Sequence, residues 1–450
     1  MLKIFLWLRY LRKKKIVLLS IAAVALSVSL LIVVASLFDG FIRAFEQSAV
    51  QAVGDVVLTA PEGKTISRYP LLVERLQQLS AVQAATAALS AQGLLHLGRG
   101  NVRAVNIWGI EADRRNKVAD FKQYMLKQKD SPGDPSFAYE GSQDGTGGFL
   151  GIAVIAEPDE NTDQYDFDLA KQMLGQEVFI TTGTVVETDA GDTKLPKLKR
   201  KLIRFVVADI VFTGIYDLDK RFVYLPIDHL QKAIYPDQQE PLANQIQIRL
   251  APGTDADSAL AQIRGVWQVF AEDQLGWPSY LARYTEIETA RQMQSRFVAE
   301  LRKQMGVLLV IFGVVSFSVV VLIFCIFYMI VTTKQKDIAI IKSCGAAAGS
   351  VASIFLGFGL CVGLAGSALG AVLGYVITRN INTIEDWVRV IFGLKLWKSS
   401  VYMFSKIPNE VDWASAVDIV LLAVAASAIG TVIPAIVAAR TRPVEILRYE

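Results

Sequence analysis

Apolar positions in this chain fall into two patterns, long unbroken blocks and short alternations. Residues 16–38, 305–331, 343–378 and 419–439 contain no Asp, Glu, Lys, Arg or His. An apolar run of about 20 residues matches a hydrocarbon core ~30 Å thick at ~1.5 Å rise per residue. Each block therefore predicts a membrane-spanning helix; a core helix of a soluble protein is usually shorter and keeps a polar face. Roughly 265 residues separate the first two blocks, enough for a folded domain. Its pattern is mixed. "DVVLTAP" (55–61), "EVFITTG" (177–183), "RFVVADIVFTGIY" (204–216), "RFVYLP" (221–226) and "NQIQIRL" (244–250) are β-branched, end at turn residues and predict strands. "LLVERLQQL" (71–79), "IDHLQKAIY" (227–235) and "DADSALAQIRGVW" (255–267) carry helical spacing. The Gly, Pro, Ser and Asp of 129–148 predict a long loop or insertion. The fold class expected is an α-helical membrane protein with four transmembrane helices and a large extracytoplasmic α+β domain inserted between helices 1 and 2.

Just before the second block, Ile287, Ala290, Met293, Phe297, Leu301 and Met305 recur every three or four residues among charged neighbours. This predicts one amphipathic stalk helix over 286–304 running into the span. The expected order is a basic leading helix (1–15), first span and start of a stalk (16–43), outer domain (44–285), stalk (286–304), second span (305–331), charged connection (332–346), third span (347–378), outer loop (379–418), fourth span (419–439) and tail (440–450).

Charge adds sidedness. The chain is 52% hydrophobic and 20% charged, with a net charge of +3. Lys3, Arg9, Arg12 and Lys13 to Lys15 precede the first span; Lys334, Lys336 and Lys342 follow the second; Arg440 and Arg442 follow the fourth. Basic residues near span ends favour the cytoplasmic side, and all three clusters agree on cytoplasmic termini and an outer large domain. The first block, about 23 residues, exceeds the ~7–15 of a cleaved leader and is expected to be retained.

Much chemistry is missing from the sequence. There is no GxxxxGK[ST] loop to hold nucleotide phosphates, and no GxSxG, HExxH or paired-Cys spacing. Cys325, Cys344 and Cys361 lie in or beside spans, leaving the outer domain without disulfides. His96 and His229 stand alone and are expected to be ordinary surface or core residues, and Asp217 and Asp219 to be solvated in a turn. The spans hold no ionisable group for ion-coupled transport, and no nucleic-acid partner is expected. Energy must come from another subunit. The chain is expected to bind no cofactor itself, with ATP and Mg on the partner.

Glycines crowd the third block. Gly345–Gly349, Gly359–Gly363, Gly366–Gly370 and Gly370–Gly374 are i,i+4 pairs. Such pairs let helices approach closely in lipid, so Gly359, Gly363, Gly366, Gly370 and Gly374 are candidate packing positions, within the chain or across a dimer.

The stretch "TTKQKDIAIIKSCGA" (332–346) places Lys334, Lys336, Asp337 and Lys342 between two apolar blocks. It predicts a short helix closed by Gly345, with Lys334 and Asp337 paired and Ile338 and Ile341 forming an apolar ridge suited to a partner's groove. "KQKDIAIIKSCGA" resembles the segment after the second span in ABC permeases of the lipoprotein-releasing and macrolide-exporter type. That resemblance implies a coupling helix docking on a cytoplasmic ABC ATPase dimer, with Lys334, Lys336, Asp337, Ile338, Ile340, Ile341, Lys342 and Gly345 as contact candidates. "LRYLRKKK" (8–15) resembles the family's basic leading helix. "PAIVAARTRPVEILRYE" (434–450) is similar to its closing motif, with Arg440, Arg442, Pro443 and Glu445 in the tail; Pro443 suits the start of a last helix. "VY…IPNEVDW" within 380–413 looks like the outer loop of the lipoprotein-releasing members. The resemblance implies a second permease copy or paralogue, lipoprotein cargo in membrane lipid, and a periplasmic carrier recruited by a hairpin; the basic "TKLPKLKRKLIRF" (193–205) stands at a comparable place. The function expected is lipoprotein extraction by mechanotransmission. Alternatives are export through an outer channel, or a scaffold coupling a cytoplasmic ATPase to a periplasmic enzyme.

Overall fold

The computed structural model describes residues 15–98, 100–139, 146–159, 162–190, 193–393, 395–404 and 406–448. The expected leading helix lies, save for Lys15, outside the described residues. Among the described residues four helices are long and apolar enough to cross a membrane. They run Lys15–Val53, Ser295–Thr333, Ala348–Arg379 and Trp413–Arg440. The last is started by Asp412, whose carboxylate accepts from the backbone N–H of Ala414 and Ser415 at 3.3 and 3.1 Å, satisfying donors that a helix N-terminus otherwise leaves bare.

The chain divides into two units. A membrane unit comprises Met1–Ala44, Phe297–Trp387 and Ile407–Glu450; an outer unit comprises Phe45–Arg296 and Val388–Lys406.

Among the described residues the outer unit is built on eleven strands: β1 (Val56–Thr59), β2 (Ile66–Ser67), β3 (Val82–His96), β4 (Val102–Ile110), β5 (Gly147–Gly151), β6 (Glu177–Ala190), β7 (Thr193–Val211), β8 (Phe222–Pro226), β9 (Leu242–Ala243), β10 (Gln245–Leu250) and β11 (Glu286–Thr289). Nine form one sheet in the order β11-β1-β10-β3-β4-β8-β5-β7-β6, and β6 also pairs with β3, so part of the sheet closes on itself. Strand β10 shows the cause of its own burial: in "QIQIRL", Ile246 and Ile248 alternate into the core. Helices Tyr69–Gln77 and Ala256–Asp273 contribute Leu72, Leu76, Ile263, Trp267 and Phe270 to that core. The Trp267 indole donates to the Ala282 carbonyl at 3.1 Å, so its polar edge is not stranded.

Several expectations need correction. The stalk helix over 286–304 does not start at 286. Glu286–Thr289 is an edge strand paired antiparallel with β1, because "EIET" alternates and buries Ile287 while both Glu residues stay exposed. Thr289 then opens a helical turn, Ala290–Met293, through a reciprocal capping box with Gln292, and the spanning helix begins at Ser295. The hairpin β3–β4 has no counterpart among the expected strands; "AATAAL" (84–89) has the composition of a helix, and its pairing with β10, continued by β4 from Ala88 onward, overrides that propensity. The outer loop carries helices Ile381–Phe392 and Ser399–Tyr402, and residues 388–406 belong to the outer unit. Residues 129–139 form no helix or strand. The hairpin containing 193–205 pairs Ala190 with Thr193 at its tip.

Candidate coupling site and packing seam

After the second span the chain breaks at Lys334 and re-forms a helix, Gln335–Ser343. The Lys334 ammonium meets the Asp337 carboxylate at 2.6 Å, the expected i,i+3 pair. At the far end Gly345 has φ +95, a conformation that costs glycine little. Its N–H donates to the Lys342 carbonyl at 3.0 Å and the Ala346 N–H to the Ile341 carbonyl at 3.3 Å. This double closure fixes the helix end.

The faces of this connector differ from expectation. Ile338 is only 5% exposed and packs with Val331, Val351 and Ala438. It is therefore part of the membrane unit's own core and not of an outward ridge. Ile340 and Ile341 are the exposed pair, at 52% and 42%, beside exposed Lys336 and Asp337. Lys342 also turns inward: its ammonium donates to the carbonyls of Ala439 and Thr441, 2.7 Å each. These are carbonyls at the C-terminal end of the fourth span, where a cation offsets the helix dipole. Arg440 is exposed in the last turn of that helix. Thr441 and Arg442 lead to the terminal helix, Pro443–Arg448, which Pro443 opens and which packs along the connector. The Glu445 side chain lies outside the described residues.

The third span resolves the glycine pattern. A Cβ on Gly359 would strike Thr431, and one on Gly363 would lie 2.8 Å from Ser427, both on the fourth span. On Gly366 and Gly370 it would lie 2.7 Å from Val24 and 2.6 Å from the Ala25 carbonyl of the first span, and on Gly374 3.1 Å from Ile32. The five glycines thus seat two helices within one chain, and Ser427 Oγ donates to the Gly359 carbonyl at 2.9 Å across the contact. Gly345 and Gly349 have no described residue of this chain within 4 Å of a Cβ, so that pair seats no helix of its own chain.

In the outer unit, Asp219 is 1% exposed and its carboxylate accepts from Thr213 N–H and Oγ1 at 2.8 Å and Gly214 N–H at 3.0 Å. The expected solvated turn is incorrect for this residue. Burial raises its pKa to about 7 despite those donors. Arg115, 2% exposed, donates to Gln247 and to the Ala52 carbonyl, 2.7 Å each, with its guanidinium over Trp108 at 4.6 Å. Burial lowers its pKa to about 10. His96 stacks on Phe179, and His229 hydrogen-bonds Thr146 at 3.1 Å. Among the described residues no group of three His, Cys, Asp or Glu is placed to hold a metal ion. Sequence spacing gave no sign of the roles of Lys342, Arg115 or Asp219, since each depends on a partner distant in the chain or on burial.

The architecture of spans with an inserted sheet domain has counterparts. Residues 17–266, more than half of the chain, match the MacB-like periplasmic core domain, and residues 309–443 match the FtsX-like permease C-terminal region. The chain therefore belongs to the family of ABC permease subunits that carry a MacB-like periplasmic core domain ahead of an FtsX-like permease region. It is a multi-pass protein of the inner membrane with its large domain in the periplasm. Relatives include the lipoprotein-releasing system transmembrane protein LolC of Neisseria meningitidis serogroup B, 28% identical over 100% of this chain and 99% of that one. LolE of Haemophilus influenzae is 26% identical over 95% and 93%, and LolC of Xylella fastidiosa strain Temecula1 25% over 100% and 99%. The periplasmic region of MacB from Actinobacillus actinomycetemcomitans aligns at 11% identity and TM-score 0.28 over 55% of this chain and 95% of that one, too slight a match to argue from.

Proposed function

We propose that this chain is the transmembrane subunit of an ATP-driven complex that extracts lipoproteins from the outer leaflet of the cytoplasmic membrane and passes them to a periplasmic carrier. Both termini and the connector face the cytoplasm, where an ABC ATPase dimer binds ATP and Mg; a second permease copy or paralogue completes the membrane part. The observation that carries this reading is the two-sidedness of the connector. One side is fixed to its own spans through Ile338 and Lys342. The other presents Ile340 and Ile341 beside Lys336 and Asp337, a short apolar strip with charged margins that suits a groove on the ATPase.

Closure of the ATPase then displaces a helix whose ends are both fixed, and the displacement passes to the spans. Lipid-anchored cargo needs such work, because each buried CH₂ holds it by about 0.8 kcal/mol. The test is Ile340→Asp with Ile341→Asp in the reconstituted complex. Stimulation of ATP hydrolysis by a triacylated lipoprotein is expected to fall at least tenfold, with membrane insertion unchanged. Undiminished stimulation would reject the connector as the docking element.

A further inference from the structure

Residues 388–406, between the third and fourth spans, belong to the outer unit, and their attachment there is specific. Asp163 sits at φ 54, a left-handed conformation that Asp and Asn adopt more readily than most residues. Its side chain is 4% exposed. The carboxylate accepts from the Ser399 N–H and Oγ, 2.9 Å each, and meets the Lys395 ammonium at 3.3 Å. The Lys395 side chain is itself 11% exposed and also reaches the Thr162 carbonyl at 3.4 Å. A second clasp lies a few residues on. Tyr216 N–H donates to the Met403 carbonyl at 2.8 Å, and Ile215 bridges to Phe404. The loop making this clasp is the one organised by buried Asp219. Trp397 stacks on Tyr402 at 4.1 Å and donates to the Phe404 carbonyl at 3.0 Å.

A connection between spans normally runs over a surface, solvated and variable in position. Here it carries a charge into a largely buried site, against a carboxylate more than two hundred residues earlier. Buried ion pairs add little net stability over apolar residues of the same size, but losing one member leaves an uncompensated charge. The pair therefore serves to hold one arrangement. We propose that Asp163 is a positioning residue that latches the connection between the third and fourth spans onto the periplasmic domain. The domain is then driven through this connection as well as through the chain crossings at 44–45 and 296–297. The proposal rests on the mechanotransmission reading above.

The test uses the full chain reconstituted with its ATPase in nanodiscs. In Asp163→Ala, hydrogen exchange over 395–404 is expected to accelerate at least tenfold while 245–250 in β10 is unchanged. Stimulation of ATP hydrolysis by a triacylated lipoprotein is expected to drop at least fivefold, and hydrolysis without cargo to stay within twofold. Asp163→Asn with Lys395→Met keeps a hydrogen-bonding side chain and removes both charges; it is expected to restore protection and stimulation. Ser399→Ala, a milder change, serves where Asp163→Ala does not insert, with about a threefold loss of stimulation. Retained protection over 395–404, or full stimulation once that segment has opened, overturns the latch. A wild-type complex that cargo does not stimulate instead rejects the lipoprotein reading. The latch is then judged by the exchange difference between vanadate-trapped and nucleotide-free states over 206–226. Asp163→Ala is expected to abolish that difference, and its persistence overturns the latch.

Discussion

Along the third span five glycines bring helix backbones together, whereas the core of the outer unit is filled by Trp267, Phe149, Phe205 and Phe270. The two regions solve the same packing problem in different solvents. In lipid, an apolar side chain gains nothing by moving from the bilayer to a helix interface, so close approach and van der Waals contact hold the spans. In water, burying each large side chain is itself favourable, and volume is what stabilises. A residue that strengthens one region would disrupt the other.

The comparison breaks most sharply at Gly370. Its Cβ would lie 2.6 Å from the Ala25 carbonyl, backbone that has no rotamer to change. Gly370→Leu is expected to reduce the yield of inserted, monodisperse protein by roughly tenfold, read by size-exclusion chromatography in detergent. The reverse change outside, Trp267→Ala, is expected to cost about 3–5 kcal/mol in equilibrium unfolding of the full chain, through lost burial and a cavity. Undiminished yield of monodisperse Gly370→Leu, or a tenfold loss of yield from Trp267→Ala as well, would erase the distinction.

Asp219 sharpens it through pH. Its pKa in the fold is raised to about 7, against about 3.9 unfolded. The protonated form is the one that the fold favours, so its contribution is complete below about pH 4 and is lost as pH rises through about 7. Wild-type thermal stability should fall across that window by up to a few kcal/mol, and Asp219→Asn should flatten the fall. A parallel slope in the variant would assign it to other groups. Lys342→Met removes two bonds to the end of the fourth span and is expected to cost about 1–2 kcal/mol. It should do so without changing the affinity of the exposed Ile340 and Ile341 face for the ATPase. Smallest is Gly345→Ala, about 1 kcal/mol from the left-handed backbone alone, visible as fraying of 335–343 in hydrogen exchange.

Legibility in the sequence followed how local the cause was. The strand segments of β1, β8 and β10 and the closure by Gly345 could be read because alternation and turn chemistry act within a few residues. At the start of the stalk helical spacing and strand alternation coincide: Ile287 satisfies both, and pairing with β1 decides. The β3–β4 hairpin was hidden by alanine, whose preference for helix yields to a neighbouring strand. In the connector the charged pair was legible, but the orientation of Ile338 was not; it and Ile341 lie on one helical face only approximately, and packing against Val351 and Ala438 separates them.

By itself the sequence determined that the chain crosses a membrane four times with a large domain between the first two crossings. Run length and charge placement are properties of each segment alone. Tertiary structure decided which glycine faces which span, that Lys342 closes the fourth helix, and that Asp163 holds Ser399 and Lys395. Those outcomes depend on the partner each group meets once water or lipid is excluded, and the partner lies far along the chain.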